Sequence, residues 1–135
     1  MEETIQISTD KKRLQIEGIH NFLKDTYWAK GRTLEQVKKT IDTCLCFGVY
    51  LKGEQIGFAR ICTDYVVFAY LMDVFILPEH RKKGYSETVM QHIMSHPDLS
   101  SCKVWMLKTS DAHGLYKQFG FTELKQPEKV MENLL

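Results

Sequence analysis

The chain lacks an excess of charge. Eighteen Lys and Arg stand against seventeen Asp and Glu, a net of +1 over 135 residues. This excludes a nucleic-acid binder working through a broad basic face, which would carry clustered cations and a high pI. Any anion recognition must be local. Long apolar runs are also missing: VVFAYLM is among the longest, far short of the roughly 20 residues that cross a bilayer, so no membrane partner is expected. The opening MEETIQISTDKKR is polar and acidic, unlike a secretory signal, and the expected location is cytoplasmic. There is no CxxC. Cys44, Cys46, Cys62 and Cys102 fall in or beside apolar, strand-like segments and read as free buried thiols rather than as disulfides or metal ligands. Neither GxxxxGK[ST] nor GxGxxG occurs, which sets aside a P-loop and a dinucleotide fold. His92 and His96 have the i, i+4 spacing of a metal pair but no third ligand, so no metal is expected.

What is present suits one soluble domain over residues 1–135. Hydrophobic residues make up 44% and charged residues 26%, with no repeat or low-complexity linker. Thr4 to Ser8 alternates like a short strand. Asp10 can cap a helix running to about Lys24, with Leu14, Ile19, Phe22 and Leu23 as its apolar stripe. YWAKGR, Tyr27 to Arg32, is a loop with two large aromatics, and Thr33 with Gln36 forms a capping box for a second helix. Two strands follow, CLCFGVYL and QIGFARICT, joined by a turn in which Gly53 supplies a positive φ. Asp64-Tyr65 turns the chain into a long strand, Val66 to Leu77, which Pro78 ends. Gly84 to about His96 reads as a helix with Val89, Met90, Ile93 and Met94 inward, and His96-Pro97 stops it. Strand CKVWML, a short helix from Asp111 to Gln118 and a last short strand after Phe119-Gly120-Phe121 complete the pattern. The fold class expected is α/β (α+β). It has a mixed, mostly antiparallel sheet, then a parallel βαβ step, with helices on both faces.

The junction Asp73 to Met90, DVFILPEHRKKGYSETVM, passes from strand through a basic turn into a helix. Helix N-termini present free N–H groups and the positive end of the dipole, and so bind phosphate. Gly84 lets the backbone come close to a ligand. Arg81 can fork onto a phosphate, and Lys82 and Lys83 add charge. The turn is a candidate pyrophosphate cradle; the alternative is a solvated basic turn.

The run V-F-I-L-P-E-H-R-K-K-G-Y-S resembles the acyl-CoA signature of the GNAT superfamily of N-acetyltransferases, an apolar strand ending in V-x-P followed by [RQ]-x-x-G-x-[GA]. Ala112 to Phe121, AHGLYKQFGF, resembles the family's A-x-x-L-Y-x-x-x-G-F segment. The resemblance implies a GNAT-like fold and acetyl-CoA as acyl donor. It implies that backbone groups of Val74, Phe75 and Ile76 pair with the pantetheine arm like an added strand. A bulge near Val74 would free an N–H for the thioester carbonyl. The amides from Arg81 through Lys82, Lys83, Gly84, Tyr85 and Ser86 would hold the pyrophosphate. Two positions depart from the pattern: Ser86 stands where glycine or alanine is usual, and Thr109 where many relatives have asparagine.

The resemblance also gives Tyr116 the role of general acid toward the leaving thiolate; a core tyrosine is the other reading. Met72 replaces the glutamate that relatives pair with an aspartate, and Asp73 keeps the aspartate. Asp73 alternates onto the face opposite Met72, where it would bind a cationic amine or activate it through water. Asp64 is a second acceptor-side carboxylate, or else a turn former. Tyr27 and Trp28 lie where relatives shape the acceptor pocket, or plug the core. Arg32 would bind an acceptor carboxylate or be solvated, and His113 could titrate near neutrality. The expected activity is transfer of acetyl from acetyl-CoA to a primary amine of a small molecule or peptide. The alternative is a non-catalytic acyl-CoA sensor that lost its base at Met72. Many relatives dimerise, so a homodimer is a further expectation.

Overall fold

The computed structural model describes residues 4–135. Five strands form one sheet in the order β1-β2-β3-β4-β5: Gln6–Ser8, Leu45–Leu51, Glu54–Thr63, Phe68–Ile76 and Val104–Leu107. The first four are antiparallel neighbours and β5 runs parallel to β4. Helices α1 (Ile16–Leu23) and α2 (Leu34–Thr43) pack on one face, in a core with Cys44, Cys46, Phe58 and Phe75. On the other face α3 (Tyr85–Met94) and α4 (His113–Lys117) cover a core of Phe47, Val49, Ile61, Leu71 and Ile76. The expected mixed sheet with helices on both faces is the fold observed. No helix of the described residues is long and apolar enough to cross a membrane.

Local chemistry explains the element ends. Thr33 and Gln36 form the reciprocal capping box of α2, with side chain to backbone distances of 3.1 and 2.9 Å. Lys52 and Gly53 both take positive φ, 51° and 83°, as a tight two-residue hairpin requires. The helix expected from Asp10 to Lys24 is broken. Asp10 caps only a 3-10 turn, Lys11–Arg13, after which Leu14 is extended and buried. The Gln55 side chain on β3 accepts the Gln15 amide at 2.7 Å, fixing the chain between the turn and α1. β4 starts at Phe68 rather than Val66 because Asp64 Oδ1 accepts the amides of Val66, Val67 and Phe68 at 2.9, 2.8 and 3.1 Å. Met94 is exposed, not inward.

No strand follows Phe121 among the described residues. Gly120, at φ 91°, terminates α4, and the Phe121 amide bonds back to the Tyr116 carbonyl at 3.2 Å. The Phe121 ring then packs edge-on against Tyr116 and Trp105, with centroids at 6.0 and 6.5 Å. A side chain turned inward by a helix cap cannot alternate along a ladder.

Candidate active site

Two geometric features organise the site. β4 and β5 are paired only from Phe68↔Val104 to Leu71↔Leu107, while β4 continues to Ile76. The parallel strands therefore part at their carboxyl ends, where ligands enter such sheets. Within this unpaired stretch β4 bulges: Phe58 pairs with Phe75 and Arg60 with Met72, so Ala59 alone faces both Asp73 and Val74. Asp73 has φ 53°, a conformation that costs a non-glycine residue energy and persists only where the surroundings enforce it.

The surroundings are three donors. Asp73 Oδ1 accepts from Trp28 Nε1 at 3.1 Å, and Oδ2 accepts from Arg32 Nη1 at 2.6 Å and Arg60 Nε at 2.8 Å. The side chain of Asp73 is 1% exposed, that of Arg60 7% and that of Arg32 18%. Strict alternation placed Asp73 opposite Met72; the bulge instead turns it toward Arg60 and the α1–α2 loop. Its charge is already matched by two guanidinium groups of its own chain, so it is not a free carboxylate for an acceptor amine. Arg32 is likewise an internal partner. Asp64 sits in the β3–β4 turn, at the far end of β4 from the basic turn. Its three amide donors hold its carboxyl below the usual range, and this is the turn-forming reading.

Tyr27 and Trp28 are 62% and 41% exposed and pack edge to face at 5.1 Å. The Ser110 amide donates to Tyr27 Oη at 3.3 Å. The loop thus bridges the bulge, through Trp28, to the turn before α4. In that turn Thr109 Oγ1 accepts the Ala112 amide at 3.1 Å, which starts α4. Tyr116 is buried on α4. Its hydroxyl has no hydrogen bond among the described residues, and burial pushes it up to about 12. With Leu107, the last β5 residue paired to β4, it lines a depression of about 280 Å³ that also takes in Trp105, His113 and Phe121.

The basic turn lies in a separate cleft of about 240 Å³ lined by Ile76, His80, Arg81, Gly84, Ser86 and, from α4, Leu115. It is the smaller of the two depressions, and the N-terminus of the ten-residue helix α3 opens into it. Gly84 is the N-cap of α3 at φ 79° and supplies no side-chain cap, which leaves the first amides of α3 for a ligand. Lys82 also takes positive φ, 64°. Arg81 Nε donates to the Ile76 carbonyl at 2.9 Å, tying the turn to the strand end and leaving its terminal nitrogens outward. His80 Nδ1 is buried there without a partner among the described residues, as a group waiting for a ligand would be. These residues fit the polyanionic end of an acyl-CoA.

The family model for the acetyltransferase (GNAT) domain matches residues 42–123. The chain belongs to the GNAT acetyltransferase family. It is 48% identical to a Xanthomonas campestris pv. campestris protein described as belonging to the GNAT family; the match covers 98% of this chain and 94% of that one, with a TM-score of 0.95. A Gibberella zeae protein named "Putative acetyltransferase" is 28% identical over 89% of this chain and 80% of its own length. The crystal structure of a predicted acetyltransferase with acetyl-CoA from Clostridium acetobutylicum has the same fold. Its TM-score is 0.74 at 11% identity, covering 98% and 96% of the two chains. The chain is therefore an acyltransferase.

Sequence reasoning missed Arg60 and His80. Arg60 could have been found as the one charge in the run QIGFARICT, matching Asp73 as the one charge inside β4. His80 carried no such signal, because its role depends on a cleft formed between separate elements.

Proposed function

We propose that this enzyme transfers the acetyl group of acetyl-CoA to a primary amine by direct attack with both substrates bound. The observation that carries the reading is the end of β4 left unpaired by β5, leading into the uncapped N-terminus of α3, with His80 Nδ1 beside it unpartnered among the described residues. In this reading the backbone of Val74, Phe75 and Ile76 takes the pantetheine arm as an added strand. The bulge at Val74 presents a backbone N–H to the thioester carbonyl. Arg81 to Ser86 hold the pyrophosphate, with Lys82 and Lys83 contributing charge. Tyr27 and Trp28 form the acceptor wall.

The high proton affinity of Tyr116 refines its part. A thiol of pKa about 8.5 is a stronger acid than a hydroxyl pushed up to about 12. Net transfer of the proton from Tyr116 to a thiolate would be uphill by about 5 kcal/mol. Tyr116 therefore donates a hydrogen bond to the departing sulfur rather than giving up its proton. The sulfur is protonated by the proton shed by the attacking nitrogen. Most of the acceleration comes from holding amine and thioester together. Asp73 acts by positioning: it fixes the bulge and ties the aromatic loop to it.

Thermal denaturation with increasing acetyl-CoA tests the donor. Binding at 100 times Kd adds about 2.7 kcal/mol and raises the melting temperature; no rise at millimolar acetyl-CoA overturns the reading. Thiol release with amino acids, polyamines, aminoglycosides and peptide N-termini then identifies the acceptor class.

A further inference from the structure

The α1–α2 face of the sheet carries a pair of thiols that acyl transfer does not use. Cys44 is extended, φ −122° and ψ 162°, and directly precedes β2. Leu45 pairs with Ile61, so Cys44 and Cys62 take the next step of the same antiparallel register. Residues opposite one another in such a ladder share a face, with Cα atoms about 4.5 or 5.5 Å apart. Both separations fall within the disulfide window of about 4.4–6.8 Å. Cys62 is exposed and Cys44 buried. Arg60 Nη1 donates to Cys44 Sγ at 3.3 Å and fixes that sulfur. The other cysteines differ: burial pushes Cys46 up to about 12, and Cys102 belongs to the opposite core.

We propose that Cys44 and Cys62 are a reversible dithiol that closes to a cross-strand disulfide under a peroxide. The exposed Cys62 sulfur attacks one peroxide oxygen, the O–O bond breaks, and Cys62 becomes a sulfenic acid as one water leaves. The Cys44 sulfur then displaces the hydroxyl from the Cys62 sulfur, forming the S–S bond and a second water. Two thiols are oxidised, one hydrogen peroxide is reduced by two electrons, and a thiol reductant reverses the bond by exchange. Partial burial pushes the Cys62 thiol up, so its attack quickens as pH rises. Arg60 bonds both Cys44 and Asp73, so closure at this end of β2 and β3 is felt at the bulge.

The test is mass spectrometry of the full chain, reduced, then treated with excess hydrogen peroxide and digested without reductant. The expected result is a loss of two hydrogens, a Cys44–Cys62 linked peptide within one chain, and its disappearance with dithiothreitol. Cys62→Ser, at an exposed position, should abolish the link and leave the remaining thiols reduced. A link from Cys62 to a second chain, to Cys46 or to Cys102 would overturn the proposal. So would unlinked sulfinic acid at Cys62, or no reaction.

Discussion

Replacing Asp73 with Asn separates a positioning carboxylate from a catalytic one. The substitution keeps the shape and removes the charge. Every neighbour of the native carboxylate is a donor: Trp28 Nε1, Arg32 Nη1 and Arg60 Nε. An asparagine oxygen can satisfy part of this set, but its NH2 must face a donor. Arg60 is left buried without a full counter-charge, and breaking a buried pair in this way costs about 3–5 kcal/mol. The 18% exposure of Arg32 lets water relieve part of that loss, which points to about 3 kcal/mol. At a urea m-value of about 1–3 kcal/mol/M, the unfolding midpoint should fall by about 1–3 M. Urea titration followed by tryptophan fluorescence measures this directly. An unchanged midpoint with lost turnover would refute the positioning role and make Asp73 a participant in the chemistry.

Other perturbations probe different parts of the site. Tyr116→Phe removes a hydroxyl that has no hydrogen bond among the described residues, so the melting temperature should hold while kcat falls about 10²-fold with the acceptor found by the amine panel; unchanged kcat removes Tyr116 from the reaction. Tyr116 and Cys46 are each pushed up to about 12 from 10.0 and 9.0, so the folded state holds their protons more tightly than the unfolded chain. Their contribution is complete below these starting values and is lost as pH climbs toward 12, by about 3 kcal/mol for Tyr116; urea midpoints that stay level above pH 10.0 would contradict the burial of both groups. Gly57→Ala would place a Cβ 2.8 Å from the Phe75 carbonyl oxygen and 2.7 Å from Ile76 Cδ1. It should cost about 1–3 kcal/mol and weaken acetyl-CoA binding by displacing the end of β4; an unaltered melting temperature would show that the strand can yield there.

Much of the fold was legible because its signals are local. Thr33 and Gln36 are three residues apart, and their capping box needs nothing beyond α2. The Pro78-to-Gly84 turn likewise announces itself within a few residues. Of the candidate site, only the strand-to-helix geometry of that turn was legible. Asp73 was misread because its partners lie on three other segments: Trp28 and Arg32 in the α1–α2 loop and Arg60 on β3. A bulge has no composition of its own, so counting alternate residues carried the wrong orientation past Met72. The break between Asp10 and α1 was hidden for the same reason, since Gln55 acts on Gln15 from forty residues away.

The bulge also makes β4 a strand with a frameshift. Ala69 and Leu71 lie in the core under α3, and from the bulge onward Ile76 returns to that core while Phe75 belongs to the one under α1 and α2. Unbroken alternation from Leu71 would assign those two residues the other way round. The extra residue is thus a phase correction, and the count between Met72 and Phe75 matters as much as the identity of what is counted. Deleting Asp73 would leave every apolar side chain of β4 present and send Phe75 and Ile76 to each other's faces.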